Sequence, residues 1–184
     1  MLEATSRHTE AETRDAAIVT TLYCCGPRVS ELCGLDWQDL DLGRGQGWLK
    51  GKGRREKELF VLPAAVVDAI RRYATHRGTA PGPVFLTRGT RGKHRDRRLE
   101  TRSVLRLVRV LGAKVGLHVW CHALRHASLT AAATLGAKAG LSLNDIRAHS
   151  RHASVLTLQR YLDQHNVVQT KRVVADLVAD SLKG

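Results

Sequence analysis

Apolar residues recur at helical spacing through most of the chain. Ile18, Val19, Leu22 and Cys25 fall on one face of a helix predicted over 10–25. Gly26 and Pro27 end it, since glycine suits the left-handed position after a helix and proline the first turn of the next. A short second helix then carries Arg28, Glu31, Leu32 and Leu35. The segment from Asp41 to Gly47 is turn-rich. Gly47–Leu49 and Glu58–Leu62 read as two short strands around the basic turn Gly51–Lys57, which predicts an antiparallel hairpin. Pro63 opens a third helix with Val66, Val67, Ile70 and Tyr73 on its inner face and Gly78 at its end.

The second half is again helical in pattern. A helix over 102–115 turns Val104, Leu107, Val108 and Leu111 inward and Arg102, Arg106 and Arg109 to another face. Further helices are expected over about 122–135, 142–149 and 154–163, with Ser142 and Asp145 spaced as a capping box. The last, about 170–182, has the clearest apolar stripe: Val173, Val174, Leu177, Val178 and Leu182. The expected fold is therefore mainly α with a small antiparallel β-sheet, an α+β arrangement without internal repeats.

Composition narrows the chemistry. The 184 residues suit one domain or a small two-lobed one. Thirty Lys and Arg against 17 Asp and Glu leave a formal charge of +13, an excess that points to a polyanionic partner, most simply nucleic acid. Eight aromatic residues are too few for a platform that stacks single-stranded bases. No apolar run approaches the ~20 residues of a bilayer span, and the polar start of the chain has no secretory pattern. Cys24, Cys25, Cys33 and Cys121 have neither zinc-ligand spacing nor a disulfide framework, so they read as reduced, mostly buried thiols of a cytoplasmic chain.

Several polar residues break the helix-face logic. Arg28 and Glu31 lie three apart in an apolar segment. Lys52 stands between two glycines at the hairpin turn. His122, Arg125 and His126 cluster in WCHALRH, and His149 and His152 precede the segment carrying Tyr161. Metal-free cleavage of a phosphodiester needs a nucleophile, cations on the non-bridging oxygens, a proton donor for the leaving oxygen and help in deprotonating the nucleophile. Arg28, Lys52, His122, Arg125, His152 and Tyr161 include each of those types. Taken singly, each has a plainer reading: a surface ion pair for Arg28 and Glu31, a charged turn residue for Lys52, a core tyrosine for Tyr161. His122, His126, His149 and His152 could instead bind a metal, although Arg125 among them would repel it. Gly43, Gly45 and Gly47 read as turn glycines rather than a phosphate loop.

GPRVSELCGLDW, GKGRREKELFVLP, HALRH and HSRHASVLTLQRYL, in that order, resemble the signatures of the tyrosine recombinase catalytic domain, the phage integrase and Xer-like family. The resemblance runs from about Ala11 to Leu162. It implies that Arg28 and Arg125 bind the scissile phosphate, with Glu31 supporting Arg28. It implies that Lys52 protonates the leaving 5′ oxygen, that His122 and His152 position the phosphate and assist proton transfer, and that Tyr161 is the nucleophile. No cofactor or metal is implied. This sequence departs from the family pattern at Pro27, at Cys121 before His122 and at Arg151 before His152, with His149 an extra candidate nearby.

The resemblance makes residues 1–184 one catalytic domain, with a core over about 11–162 and the C-terminal helix about 170–182. With only about ten residues before the first helix, the helical core-binding domain that precedes it in the family is expected to be absent here, whether this is an isolated catalytic domain or a naturally short member. Double-stranded DNA is the expected partner, together with other copies of the chain as a tetramer on DNA. Helix 170–182 either packs within its own chain or docks on a neighbour. Arg54, Arg55 and Lys57 in the hairpin turn and Arg88, Arg91, Lys93, Arg95, Arg97 and Arg98 in the basic segment are the expected phosphate contacts. The expected activity is site-specific DNA cleavage and rejoining in the cytoplasm, at the nucleoid. The rival readings are a catalytically silent DNA-binding module and a metal-dependent phosphodiesterase.

Overall fold

In the computed structural model, the described residues are 9–51, 53, 55–87, 97–142 and 145. The chain divides into two compact units, Met1–Ser128 and Leu129–Gly184. Helix α1 spans Glu10–Cys25. Thr9 and Glu12 close a capping box at its start: the Thr9 amide donates to the Glu12 carboxylate at 2.7 Å and the Glu12 amide to the Thr9 hydroxyl at 3.3 Å. Its buried face holds Ala11, Ala17, Ile18, Leu22 and Cys25. Thr21 is also buried, and its hydroxyl is satisfied by the Ala17 carbonyl at 2.7 Å.

Gly26 ends α1 in the left-handed conformation, with φ of 56°. The following helix, α2, is Val29–Cys33, with Arg28 as its N-cap in extended conformation. Pro27 therefore lies before the cap and not in the first helical turn, and Leu35 lies past the helix end. A 3-10 turn over Trp37–Asp39 leads into the sheet.

The sheet has three strands where the sequence predicts two. Strand β1 (Leu40–Asp41) pairs with β2 (Gln46–Lys50), which pairs with β3 (Lys57–Val61), all antiparallel and in that order. Two residues cannot display an alternation, so β1 was hidden in a segment that reads as a turn. The Asp41 carboxylate closes that turn by accepting from the Gly43 and Arg44 amides at 3.1 and 2.9 Å. In the β2–β3 pair Gly47 faces Phe60. The Phe60 ring lies over the glycine, so that a Cβ there would stand 2.5 Å from Phe60 Cε1.

Helix α3 (Ala64–Arg77) packs mainly against α1 and buries Val66, Val67, Ala69, Ile70 and Tyr73. Tyr73 stacks on Phe85, with ring centroids 6.0 Å apart, and its hydroxyl accepts from the Leu86 amide at 3.3 Å. Helix α4 (Thr101–Lys114) contributes Val104 and Val108, with Leu107 packed at the margin of the core. One apolar cluster thus joins α1, α2, α3, α4 and the sheet, and each fully buried Leu, Ile or Val in it is worth ~1.5–3 kcal/mol. Helix α5 is Cys121–Lys138, longer than the stretch the pattern predicts. It begins in the first unit. In the second unit, the Ser142 amide and hydroxyl donate to the Asp145 carboxylate at 2.8 and 2.6 Å and the Asp145 amide donates to Ser142 Oγ at 3.3 Å, the capping box the sequence predicts. Those bonds hold the Asp145 carboxyl below its ordinary value. The rest of helix 142–149, and those over 154–163 and 170–182, lie outside the described residues.

All four cysteines are free thiols; Cys25, Cys33 and Cys121 are buried and Cys24 half-buried. Burial pushes the Cys33 thiol up to about 11, with Cys121 adding to the shift, so it stays protonated at neutral pH. Among the described residues no helix is long and apolar enough to cross a membrane.

The Gly47–Phe60 contact generates a stability prediction. Gly47→Ala forces the buried Phe60 ring aside and should cost about 1–3 kcal/mol in urea denaturation. In a Phe60→Leu background the same change should cost less, because the obstructing ring edge is gone. Equal costs in both backgrounds would contradict the packing described.

Candidate active site

The site begins where α1 ends. The carbonyls of a helix's last turn have no partner within the helix. Gly26 is the C-cap of α1, and its carbonyl oxygen accepts from Arg125 Nη1. Arg125 lies in the second turn of α5 and is almost fully buried, at 6% exposure. The last turn of α1 has no basic residue of its own, so Arg125 supplies the cation that the negative end of the helix dipole favours. The Cβ of an L-residue at 26 would stand 3.0 Å from Ser128 Oγ, one turn beyond Arg125. Glycine at 26 thus meets two demands together: the left-handed turn and the close approach of α5.

Arg28 follows two residues later, its Cα within ~7 Å of that of Gly26 by chain length alone. Its side chain is 45% exposed, while that of its partner Glu31 is 3% exposed. Glu31 accepts from the Arg28 backbone amide at 2.8 Å through one carboxylate oxygen and from Arg28 Nη1 at 2.8 Å through the other. A single carboxylate therefore caps α2 and orients the guanidinium. A charged hydrogen bond of this kind is worth ~1.5–3 kcal/mol when buried, and the open side of Arg28 lowers that figure. The plain surface-pair reading does not fit a carboxylate this deeply buried.

His122 and Arg125 come from the first two turns of α5. His122 is exposed, and its ring meets that of His126 edge-on, with centroids 4.9 Å apart and planes at 81°. His126 is half-buried, and its imidazole is held below the ordinary value, first by burial and then by His122 and Arg125. Among the described residues no group of three His, Cys, Asp or Glu side chains could hold a metal ion.

Two basic residues from the expected phosphate-contact set are bound internally. Lys57 Nζ, on β3, bonds the buried Asp39 carboxylate. Asp39 also accepts from the Asp36 amide at 3.1 Å, so the pair ties the hairpin to the 3-10 turn. Arg98 donates through Nη1 to the Cys33 and Leu35 carbonyls at 2.9 and 3.2 Å and through Nη2 to Asp36 at 2.5 Å, which closes the C-terminal end of α2. Arg55 and Arg97 are exposed. Lys52, Arg54, Arg88, Arg91, Lys93, Arg95, His149, His152 and Tyr161 lie outside the described residues. The described part of the site thus gathers Gly26, Arg28, Glu31, His122 and Arg125. The Gly26 carbonyl and the Asp39 anchor escaped the sequence reading. A glycine before Pro-Arg marks a turn but not which side chain its carbonyl receives, and an aspartate in a turn carries no mark of burial.

Gly26→Ala should cost ~1–2 kcal/mol in denaturant titrations, from the left-handed backbone and the Ser128 contact together. Adding Ser128→Ala should relieve the contact and leave the backbone part; a double variant no more stable than Gly26→Ala would contradict the close approach. A second prediction concerns pH. The folded chain holds the His126 proton less tightly than the unfolded chain, whose imidazole titrates near 6.5. His126 therefore contributes full stability above that pH, and the contribution falls away as pH drops through 6.5 toward the lowered value. Urea midpoints measured between ~pH 7.5 and ~pH 5.5 should fall less in His126→Phe than in the parent; parallel slopes would contradict the burial of that ring.

The chain is similar throughout these elements to known proteins. Residues 1–166 match the model of the phage integrase family. The chain is 38% identical over 152 residues to tyrosine recombinase XerC of Pelobacter propionicus, an alignment covering 80% of this chain and 47% of the relative. It is 34% identical over 148 residues to tyrosine recombinase XerA of Thermococcus kodakarensis, covering 80% and 50%. The crystal structure of XerA recombinase superposes with a TM-score of 0.67 at 28% identity, over 82% of this chain and 52% of that one. The chain spans about half the length of the curated relatives it matches. On the family match, the shared fold and the arrangement around Arg28 and Arg125, the chain belongs to the phage integrase family.

Proposed function

We propose that the protein cleaves and rejoins double-stranded DNA at a specific site through a covalent tyrosyl intermediate, without metal or ATP. The observation that carries this reading is the pairing of Arg28 and Arg125 on one chain turn: Gly26 receives Arg125, and Arg28 stands two residues on with its side chain partly exposed and its guanidinium bonded to Glu31 on one side. Two guanidinium forks so placed suit the two non-bridging oxygens of a phosphodiester. Relatives named tyrosine recombinases support it.

In the proposed reaction the Tyr161 hydroxyl passes its proton to an assisting histidine, His122 or His152, its oxygen attacks phosphorus and the bond to the 5′ oxygen breaks. That oxygen takes a proton from Lys52, leaving a 3′-phosphotyrosyl link and a free 5′-hydroxyl. The 5′-hydroxyl of a second strand then gives its proton to Lys52 and attacks the link, restoring the diester, while tyrosine regains its proton from the assisting histidine. One phosphoester replaces another at each step, so no outside energy source is needed. Arg28 and Arg125 stabilise the charge that builds on the pentacoordinate phosphorus. His122 and His152 position the phosphate and assist proton transfer. The roles of Lys52, His152 and Tyr161 rest on the motif pattern and spacing alone.

Both units serve one catalytic domain in this reading. The exposed Arg55 and Arg97, with Arg54, Arg88, Arg91, Lys93 and Arg95, contact DNA phosphates. Lys57 and Arg98 hold the hairpin and α2 in place, with their charges matched by Asp39 and Asp36. Several copies assemble on DNA, as a tetramer with helix 170–182 as a docking element, in the cytoplasm at the nucleoid.

The reading is tested on a nicked duplex that traps the intermediate. A covalent protein–DNA band should appear on a denaturing gel, survive EDTA and vanish in Tyr161→Phe. A bound duplex with no band would contradict strand cleavage, and a band abolished by EDTA would point to metal chemistry. Affinity for duplex DNA should fall at least roughly tenfold between ~50 and ~200 mM salt, as counterions compete for the phosphates. A flat salt response would contradict the basic contact surface.

A further inference from the structure

The proposed reaction gives His122 a task and leaves its neighbour His126 without one. The two stand four residues apart on α5, so they share a face, and side chains there lean toward the helix start. His126 thereby overlies the turn that carries His122, and the rings meet edge-to-face at 4.9 Å and 81°. That is the arrangement aromatic rings prefer. The two residues differ in their surroundings. His122 is exposed, and an exposed side chain of its length samples several rotamers. His126 is half-buried and directly follows Arg125, which is buried and bonded to the Gly26 carbonyl. One ring is set in the body of the first unit; the other stands free to turn unless the first restrains it.

We propose that His126 is a positioning residue for His122, its ring fixing the direction in which His122 presents its nitrogens to the scissile phosphate. This rests on the strand-cleavage reading. The chemistry of the pair fits the task. A positively charged ring at 126 would crowd Arg125. Burial, with His122 and Arg125 beside it, holds the His126 imidazole below its ordinary value, so the ring supports His122 without adding positive charge next to Arg125. A purely structural His126 would leave the orientation of His122 untouched and act on folding alone.

The test compares the full chain with His126→Ala, which removes the ring, and His126→Phe, which keeps one. Imidazole signals of His122 are followed by nuclear magnetic resonance, single-turnover cleavage is measured on the nicked duplex, and DNA affinity is measured separately. A folded His126→Ala chain should lose the ring-current displacement of the His122 signals. It should cleave about three- to tenfold more slowly, the range an edge-to-face contact can account for, with DNA affinity unchanged within about twofold. His126→Phe should restore the displacement and most of the rate, and it carries the test if His126→Ala does not fold. The proposal is overturned if His122 signals in His126→Ala match the parent, if that variant cleaves at the parent rate, or if His126→Phe shows neither displacement nor rate. A parent chain that binds the duplex and forms no adduct overturns strand cleavage instead. The His122 signals in the variants then still decide whether His126 holds that ring.

Discussion

A buried arginine must be given partners, and here one of them is a backbone carbonyl. Arg125 reaches from α5 to the Gly26 oxygen at the end of α1. An unpaired guanidinium at that depth would cost several kcal/mol, so the two helix ends are bound to meet. The carbonyl benefits equally, since the last turn of a helix has acceptors without donors. Because Gly26 and Arg28 are joined by two peptide units, holding Arg125 on Gly26 also keeps it beside the backbone of Arg28. Two cations far apart in sequence are thereby brought to one chain turn, through the Arg125–Gly26 hydrogen bond and a short covalent link.

The surrounding contacts limit the freedom that remains. Glu31 holds Arg28 from below, while the exposed half of the guanidinium stays open to a ligand. Arg98 ties the C-terminal end of α2 to Asp36, and Lys57 ties the hairpin to Asp39. The fold thus uses basic residues in two ways. Some are matched by carboxylates and set the positions of elements; others keep exposed heads. The formal charge of +13 does not distinguish them; for Lys57 and Arg98 the location of Asp39 and Asp36 does.

The helices were legible in the sequence because their apolar positions repeat over several turns and their ends carry strong signals: Gly26, Pro63 and Gly78 all stand at element boundaries. Strand β1 was not, because two residues hold no period and its partner Gly47 has no side chain to reveal a face. The candidate site was legible in its residue types and their order along the chain. The structure bonds Arg28 to Glu31 and sets His122 and Arg125 on the first two turns of α5. What could not be read was connection across long sequence separation. That Arg125 binds the Gly26 carbonyl, or that Lys57 belongs to Asp39, follows from packing, and a local pattern carries no trace of it.

The central claim is that Arg28 and Arg125 form one phosphate site held at the Gly26 turn. The most direct measurement is a crystal structure of the Tyr161→Phe chain bound to a duplex it recognises, with the substitution holding the diester intact. The account predicts one phosphate whose non-bridging oxygens lie within ~3 Å of guanidinium nitrogens of both Arg28 and Arg125, with Arg125 still bonded to Gly26. A bound duplex whose phosphates meet only one of these arginines, or neither, would contradict it.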